Sequence, residues 1–399
     1  MVDLVDRATA VLRANDRGHY TVPAGHLYPH QWAWDSAFAA IGWSTIDVDR
    51  ALIEIESLLE GAWPDGRVPH IRFHDLSGEY FPGPDFWGTI DRSSISQPPV
   101  WAAAAKRVFE RGGDRRRIRA LLEPIARSHR WYLRDRDPLG IGLVAVGHPW
   151  ESGMDNSPAW DHAIAAVDPT AAPRFERVDQ QHVADPAERP TDDDYARYVA
   201  LVDEIAENDF GSGSFAVYDP GVSAILSWAD VELAGLATAL DEHEIAAEAR
   251  SRASTVRDAL LEHLWDESVA RFVFTDASSG DRHAPDVVSA YLPMLADLPL
   301  RIARQLRAAL DRRFGTPYGI PTTAPDDPAF DRVGYWRGPV WANVNWLMDG
   351  PLDGRWRQPT LDLIEQQGFH EYFDPISGRG LGVDDFTWTA ALALDWLAR

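Results

Sequence analysis

The chain has 399 residues, 45% of them apolar and none of them cysteine, with a formal net charge of −24 and a pI near 4.8. Disulfides, thiolate metal sites and cysteine nucleophiles are therefore excluded. A field this negative repels nucleic acid and anionic membrane, so neither is expected as a partner.

Residues 1–16 read as an amphipathic acidic helix without the apolar core of a signal peptide. No uninterrupted apolar run reaches the roughly 18–20 residues that cross a bilayer, so a soluble, cytoplasmic protein is expected. Helical periods follow over Asp35–Ile46, Val48–Glu60, Pro98–Arg111, Arg115–Arg136, Asp192–Glu207 and Pro220–Leu240. They continue over Ile245–Leu264, Ile302–Phe314, Trp341–Met348, Arg357–Gln366 and Thr387–Leu397. Strand alternation appears only in short pieces such as Arg271–Thr275.

The helices come in pairs, joined by a short link within a pair and a long aromatic and acidic loop between pairs. This pattern predicts a closed ring of helical hairpins whose long loops gather at one mouth, where a site would form. No boundary divides the chain, so a single domain over 1–399 is expected. The stretch Ala166–Arg189 is rich in Pro, Asp and Ala without a clean period. It reads as a surface linker or as a lid over the mouth, with Gly211–Ser214 a flexible turn closing an inserted region of 166–215.

Four loop clusters interrupt the helices. His26–Phe38 (HLYPHQWAWDSAF) spaces Tyr28, Trp32 and Trp34 like a stacking wall, and Asp35 reads as a helix N-cap or a site residue. Pro149–Asp161 (PWESGMDNSPAWD) sets Glu151, Asp155 and Asp161 among tryptophans, prolines and a glycine, a composition no amphipathic element explains. Its end fits ordinary capping by Asn156 or Ser157 with Pro158 behind. Gly334–Trp341 (GYWRGPVW) offers Tyr335, Trp336 and Trp341 to a groove, with Arg337 pairing with a carboxylate or buried as a strut. In Gly368–Gly382 Glu371 is wedged between His370 and Tyr372; it holds a water in a site or lies on the surface. Aromatic faces beside carboxylates suit a sugar ring, and seventeen tryptophans favour a ring-lined groove. No metal motif, phosphate loop, dinucleotide fingerprint or G-x-S-x-G occurs, so no metal or cofactor is expected.

Taken in order, HLYPHQWAWDSAF, PWESGMDNSPAWD, ERPTDDDYARY, YWRGPVWANVNWL and EYFDPISG with FTWTAAL resemble glycoside hydrolase family 63 in its compact bacterial form. The resemblance covers nearly the whole chain and implies an (α/α)6 barrel that hydrolyses α-glycosides with inversion. It makes Asp155, of the M-D-N-S loop, the general acid, and Glu371, of E-Y-F-x-P, the general base. Such a pair stands roughly 6.5–9.5 Å apart to leave room for a water. Trp150 and Met154 would keep Asp155 in apolar surroundings and so protonated.

The short members of that family resemble hydrolases of mannosylglycerate and glucosylglycerate. They imply a sugar pocket of Tyr28, Trp32, Trp34, Asp35, Gln97, Trp150, Gly153, Trp336 and Trp341. They imply a glycerate site of Tyr80, Arg189, Tyr195 and Tyr335, with Arg189 the local cation for an acidic substrate. One departure stands out: Asp384 and Asp385 occupy the region where a glutamine is expected, and a carboxylate facing the pocket there would disfavour glycerate. Other readings of the same residues are an α-glycosidase acting on a neutral disaccharide, a sugar epimerase using His30, His70 or His370, and a non-catalytic carbohydrate-binding module. The oligomeric state, a homo-oligomer included, is left open.

Overall fold

The computed structural model describes residues 3–76, 80–177, 179–183, 185–208 and 213–399. Gly211 and Ser212 of the expected turn lie outside the described residues.

An inner ring is formed by Ala33–Trp43, Trp101–Glu110, Pro220–Ala239, the 3-10 turns at Val288–Ala290 and Leu292–Leu295, Ala342–Leu347 and Thr387–Leu397. These segments are apolar over most of their surface and so are stable only where protein surrounds them, while Lys106, Arg107 and Glu110 form a polar outer edge on Trp101–Glu110. Every residue of Ala33–Trp43 is buried, and every residue of Thr387–Leu397 except the last. Gly42 brings these two helices together: a Cβ there would lie 2.5 Å from the Cα of Ala391.

The outer layer consists of Leu4–Ala14, Val48–Glu60, Arg115–Asp135, His243–Ala259, Leu300–Arg313 and Arg357–Gln367. These helices carry a single apolar stripe. Arg115–Asp135 buries Ile118, Leu121, Leu122, Ile125 and Trp131 and turns most of its arginines outward. Each inner helix leads back through an outer one, which makes the ring of hairpins that the sequence predicts.

Asp230 and Asp395, buried within inner helices, are paired, as buried charges must be. Asp230 accepts from His129 and Arg252, and Asp395 accepts from Arg111, Arg399 and the Trp346 indole. By length and composition Pro220–Ala239 could cross a membrane, but it sits in the inner ring, mostly buried.

Several boundaries differ from expectation for local reasons. The predicted helix at Pro98 begins at Trp101, because a proline disfavours helical backbone in the residue before it. The one expected over Ile245–Leu264 runs from His243 to Ala259 and closes with a π turn at Leu260–Leu264. The predicted strand at Arg271–Thr275 is two strands in different sheets. Arg271–Phe272 pairs with Trp265–Asp266, and Phe274–Asp276 joins a four-stranded antiparallel sheet beside Val217–Tyr218. The edge strand of that sheet, Ala145–Val146, runs directly into the acidic loop at Pro149.

Candidate active site

The long loops enclose a cavity of about 770 Å³, counting its open mouth. Its floor is set by the N-terminal ends of inner helices, which carry Trp34 and Asp35, follow Gln97, and carry Trp388. Positive helix ends favour carboxylates there. Asp35 is not the N-cap expected from sequence: the helix starts at Ala33, Trp32 takes the cap position, and Asp35 lies buried in the first turn. Its carboxyl pKa is pushed well above the ordinary value, chiefly by burial and further by Glu371 and Asp155.

The walls are aromatic. Tyr28, Trp32, Trp34, Trp150 and Trp336 line the space, with Tyr80, Tyr195 and Tyr335 toward the lid and Gln97 and Gly153 between them. Gly153 is at φ +70°, and a Cβ on it would meet the Trp34 ring at 2.5 Å, so the loop reaches this wall only through glycine. Trp341, expected in the sugar pocket, is not among the lining residues. It lies flat behind Trp336 with centroids 3.7 Å apart and donates its Nε1–H to the Tyr335 carbonyl. Its part is to hold Trp336 in place. The cavity also includes Asp179, Phe386 and Trp388, which the sequence reading did not select, and His70, which it named only for the epimerase reading. Trp388 sits within the F-T-W-T-A motif and was within reach of it; Asp179 lies in the lid stretch, where no pattern marks it.

The three carboxylates of the acidic loop separate into different roles. Both oxygens of Glu151 accept from Arg136, at 2.8–3.0 Å, and its carboxylate also takes the Gly147 and Ser96 amides. Burial alone would raise its pKa, but Arg136 and these amides hold it below the usual carboxylate range. Asp161 forms a two-pronged pair with Arg337 at 2.7 Å, tying this loop to the Tyr335–Trp341 loop. Asn156 adds to that tie: its Oδ1 accepts from the Trp336 amide and its Nδ2 donates to the Gly334 carbonyl. Ser157 caps the turn that Pro158 opens, as the ordinary reading of that end expects.

Asp155 is left facing the cavity. Its backbone carbonyl accepts from the Tyr198 hydroxyl, and burial, reinforced by the nearby Glu371 charge, pushes its carboxyl pKa up to about 7.

Glu371, buried across the cavity, sits among donors. Tyr28 Oη donates to Oε1 at 3.0 Å, and Arg189 reaches both oxygens, Nη2 to Oε2 at 2.6 Å and Nη1 to Oε1 at 3.3 Å. Burial opposes the charge on Arg189, yet Glu371 and the surrounding tyrosines outweigh it and hold the guanidinium pKa above its ordinary value. Arg189 is the only arginine or lysine among the described lining residues, and here it is committed to Glu371. The Ala166–Arg189 stretch brings it to the cavity wall. Glu188 takes the Gly382 amide and, through its carbonyl, the Tyr372 hydroxyl, while Arg177 anchors Asp179 and the Pro190 carbonyl.

Residues 28–389 match the family model described as "Mannosylglycerate hydrolase MGH1-like glycoside hydrolase domain". The chain belongs to this family. It is 40% identical to the mannosylglycerate hydrolase of Thermus thermophilus, over 98% of this chain and 99% of that one. It is 36% identical to the glucosylglycerate hydrolase of Mycolicibacterium hassiacum, over 99% and 97%. The crystal structure of the family 63 mannosylglycerate hydrolase from Thermus thermophilus, in complex with Tris and D-glycerate, superposes with a TM-score of 0.94. The match covers 99% of this chain and all (100%) of that one at 40% identity. The ring of hairpins is therefore the (α/α)6 barrel of the family 63 enzymes, and the chain is a glycoside hydrolase.

Within this family member Asp384 does not face the cavity. It is exposed and lies 3.5 Å from His26, so the expected repulsion of an anionic aglycone does not arise from it. Epimerase chemistry needs paired histidines, and of the three candidates only His70 reaches the cavity wall, stacked on Trp150. Burial lowers its pKa to about 3, leaving a neutral ring.

Glu151 and Asp155 are four residues apart and belong to different tasks. Replacing Glu151 with Gln leaves Arg136 charged and buried, which should cost about 3–5 kcal/mol of stability. Urea unfolding would measure it, and a variant as stable as the wild type would show that this pair does not brace the loop.

Proposed function

We propose that this chain is a cytoplasmic, inverting hydrolase of a hexosyl glycerate, mannosylglycerate or glucosylglycerate, that releases hexose and glycerate. The single domain would span 1–399, with 166–215 acting as a lid. The observation that carries the reading is the contrast in partners between two carboxyls in one cavity. Asp155 keeps a proton to about pH 7, while Glu371 is held by a guanidinium and a phenol. A carboxyl that keeps its proton, facing one that is paired with a cation, suits an acid and a base.

In this reading Asp155 protonates the glycosidic oxygen as the bond to the anomeric carbon breaks. A water attacks that carbon from the opposite face and gives its proton to Glu371. The hexose would lie against Trp32, Trp34, Trp150 and Trp336, whose rings match its C–H faces, with Tyr28 at its edge. Asp35, protonated by burial, can both donate to and accept from a hydroxyl. Gln97 accepts the Trp34 amide through Oε1 at 3.2 Å, which leaves its amide hydrogens for the sugar. Tyr80, Tyr195 and Tyr335 would surround the glycerate near Arg189.

The acid must act protonated, and its proton is present below pH 7 and lost as pH rises through it. On a glycosylglycerate, kcat/KM should therefore fall about tenfold per pH unit on the alkaline side. An α-glycosyl fluoride needs no protonation of its leaving group and should show no such limb. Asp155→Asn should lose about 10²–10⁴-fold on the glycoside but keep most activity on the fluoride, whereas Glu371→Gln should lose both. Equal losses for Asp155→Asn on the two substrates would reject it as the acid.

Inversion is separately measurable. The hexose first released from an α-linked substrate should be the β anomer, seen by proton NMR before mutarotation. Initial α anomer would mean retention and would remove Glu371 from its water-activating role.

A further inference from the structure

Glu371 has more donors than a working base can use. Tyr28 Oη at 3.0 Å, Tyr335 Oη at 3.5 Å and Arg189 Nη1 at 3.3 Å converge on Oε1. Arg189 Nη2 at 2.6 Å and the Val383 amide at 3.3 Å converge on Oε2. A carboxylate offers about four lone-pair directions, so no acceptor site remains for the water it must deprotonate.

Arg189 can leave Glu371 at the cost of one further bond, from its Nη1 to Tyr28 Oη at 2.9 Å, while the other donors keep their places. The backbone around Arg189 is fixed independently, by Glu188 against Gly382 and Tyr372 on one side and by the Thr191–Asp194 capping box on the other. The guanidinium lies 4.8 Å over the Tyr335 ring, a surface along which it can slide. Its Nε–H is buried and has no partner, so the group holds a donor that the pair with Glu371 does not use.

We propose that Arg189 holds Glu371 in an idle state, and that the carboxylate of the substrate's aglycone releases the base by drawing the guanidinium onto itself. The inference rests on Glu371 being the base. Arg189 is then a positioning residue that makes an anionic aglycone a requirement of turnover as well as of binding. A neutral glycoside occupies the sugar pocket and meets a base that cannot accept a proton. Once Arg189 has moved, water forms the new bond to the anomeric carbon, its proton goes to Glu371, and the leaving group departs with the bonding electrons.

An α-mannosyl or α-glucosyl fluoride tests this, because its small leaving group leaves the aglycone site vacant and fluoride leaves as the anion. Fluoride release is measured with none, with D-glycerate and with glycerol, which has the same skeleton without the carboxylate. In the wild type, glycerate should raise kcat by about tenfold or more, part of the 10²–10⁴ that a general base contributes, and glycerol should not. Arg189→Ala should be fast without glycerate and unresponsive to it. Glycerate that only slows the wild type, or leaves it unchanged, overturns the proposal, and this arm decides even if the variant folds poorly. Glu371→Gln should be inactive in every arm; residual wild-type rates there would refute the base assignment itself. Activation by glycerate, with neither glycosylglycerate hydrolysed, would keep the release mechanism and reject the substrate.

Discussion

Four carboxyl groups, Asp35, Asp155, Asp179 and Glu371, line one cavity, and a single guanidinium lies among the described lining residues. That imbalance governs the site. Charges of like sign cannot all persist in low dielectric, so the cavity settles with the arginine on one carboxylate and protons retained on others. Glu371 takes the arginine, and Asp35 and Asp155 have raised pKa values. On the proposed reading, the acid and the base of the glycosidase follow from how one positive charge is shared, with no special chemistry in either side chain.

The scaffold serves this by making the acid's side of the cavity stiff. Glu151 on Arg136, Asp161 on Arg337 and Asn156 on the Trp336 backbone join the acidic loop to the barrel and to the aromatic loop opposite. Each braces the loop at a different residue, so Asp155 is held from both flanks. The base's side is built differently. Its cation comes from the lid stretch, anchored through Glu188 to the same loop that carries Glu371. The position of that stretch and the surroundings of Glu371 are thereby linked through one residue, Arg189.

Much of this was legible in the sequence, for identifiable reasons. Outer helices declare themselves by a single apolar stripe, and Val48–Glu60 and Asp192–Glu207 run over the residues their patterns predict. The loop motifs named the residues that now surround the cavity, since tryptophans and carboxylates outside any period have few structural uses. What stayed hidden depends on depth and partner choice. Glu151 and Asp155 are equivalent as letters; only the position of Arg136 separates a brace from a free acid. Trp336 and Trp341 are equally aromatic, and stacking order decides which one faces the sugar. Arg189 was foreseen as a cation awaiting an anion, but no pattern could reveal that Glu371 already occupies it. Asp384 was a concern only until its outward direction was known.

The central claim is that Asp155 keeps its proton at neutral pH because it is buried beside a carboxylate that owns the arginine. Carbon-13 NMR of the aspartate side-chain carboxyls through a pH titration tests this without any substrate. One Cγ resonance should titrate near pH 7 and be missing from the spectrum of Asp155→Asn. If the resonance lost in that variant is already that of an ionised carboxylate at pH 5, Asp155 holds no proton to give, and the account fails.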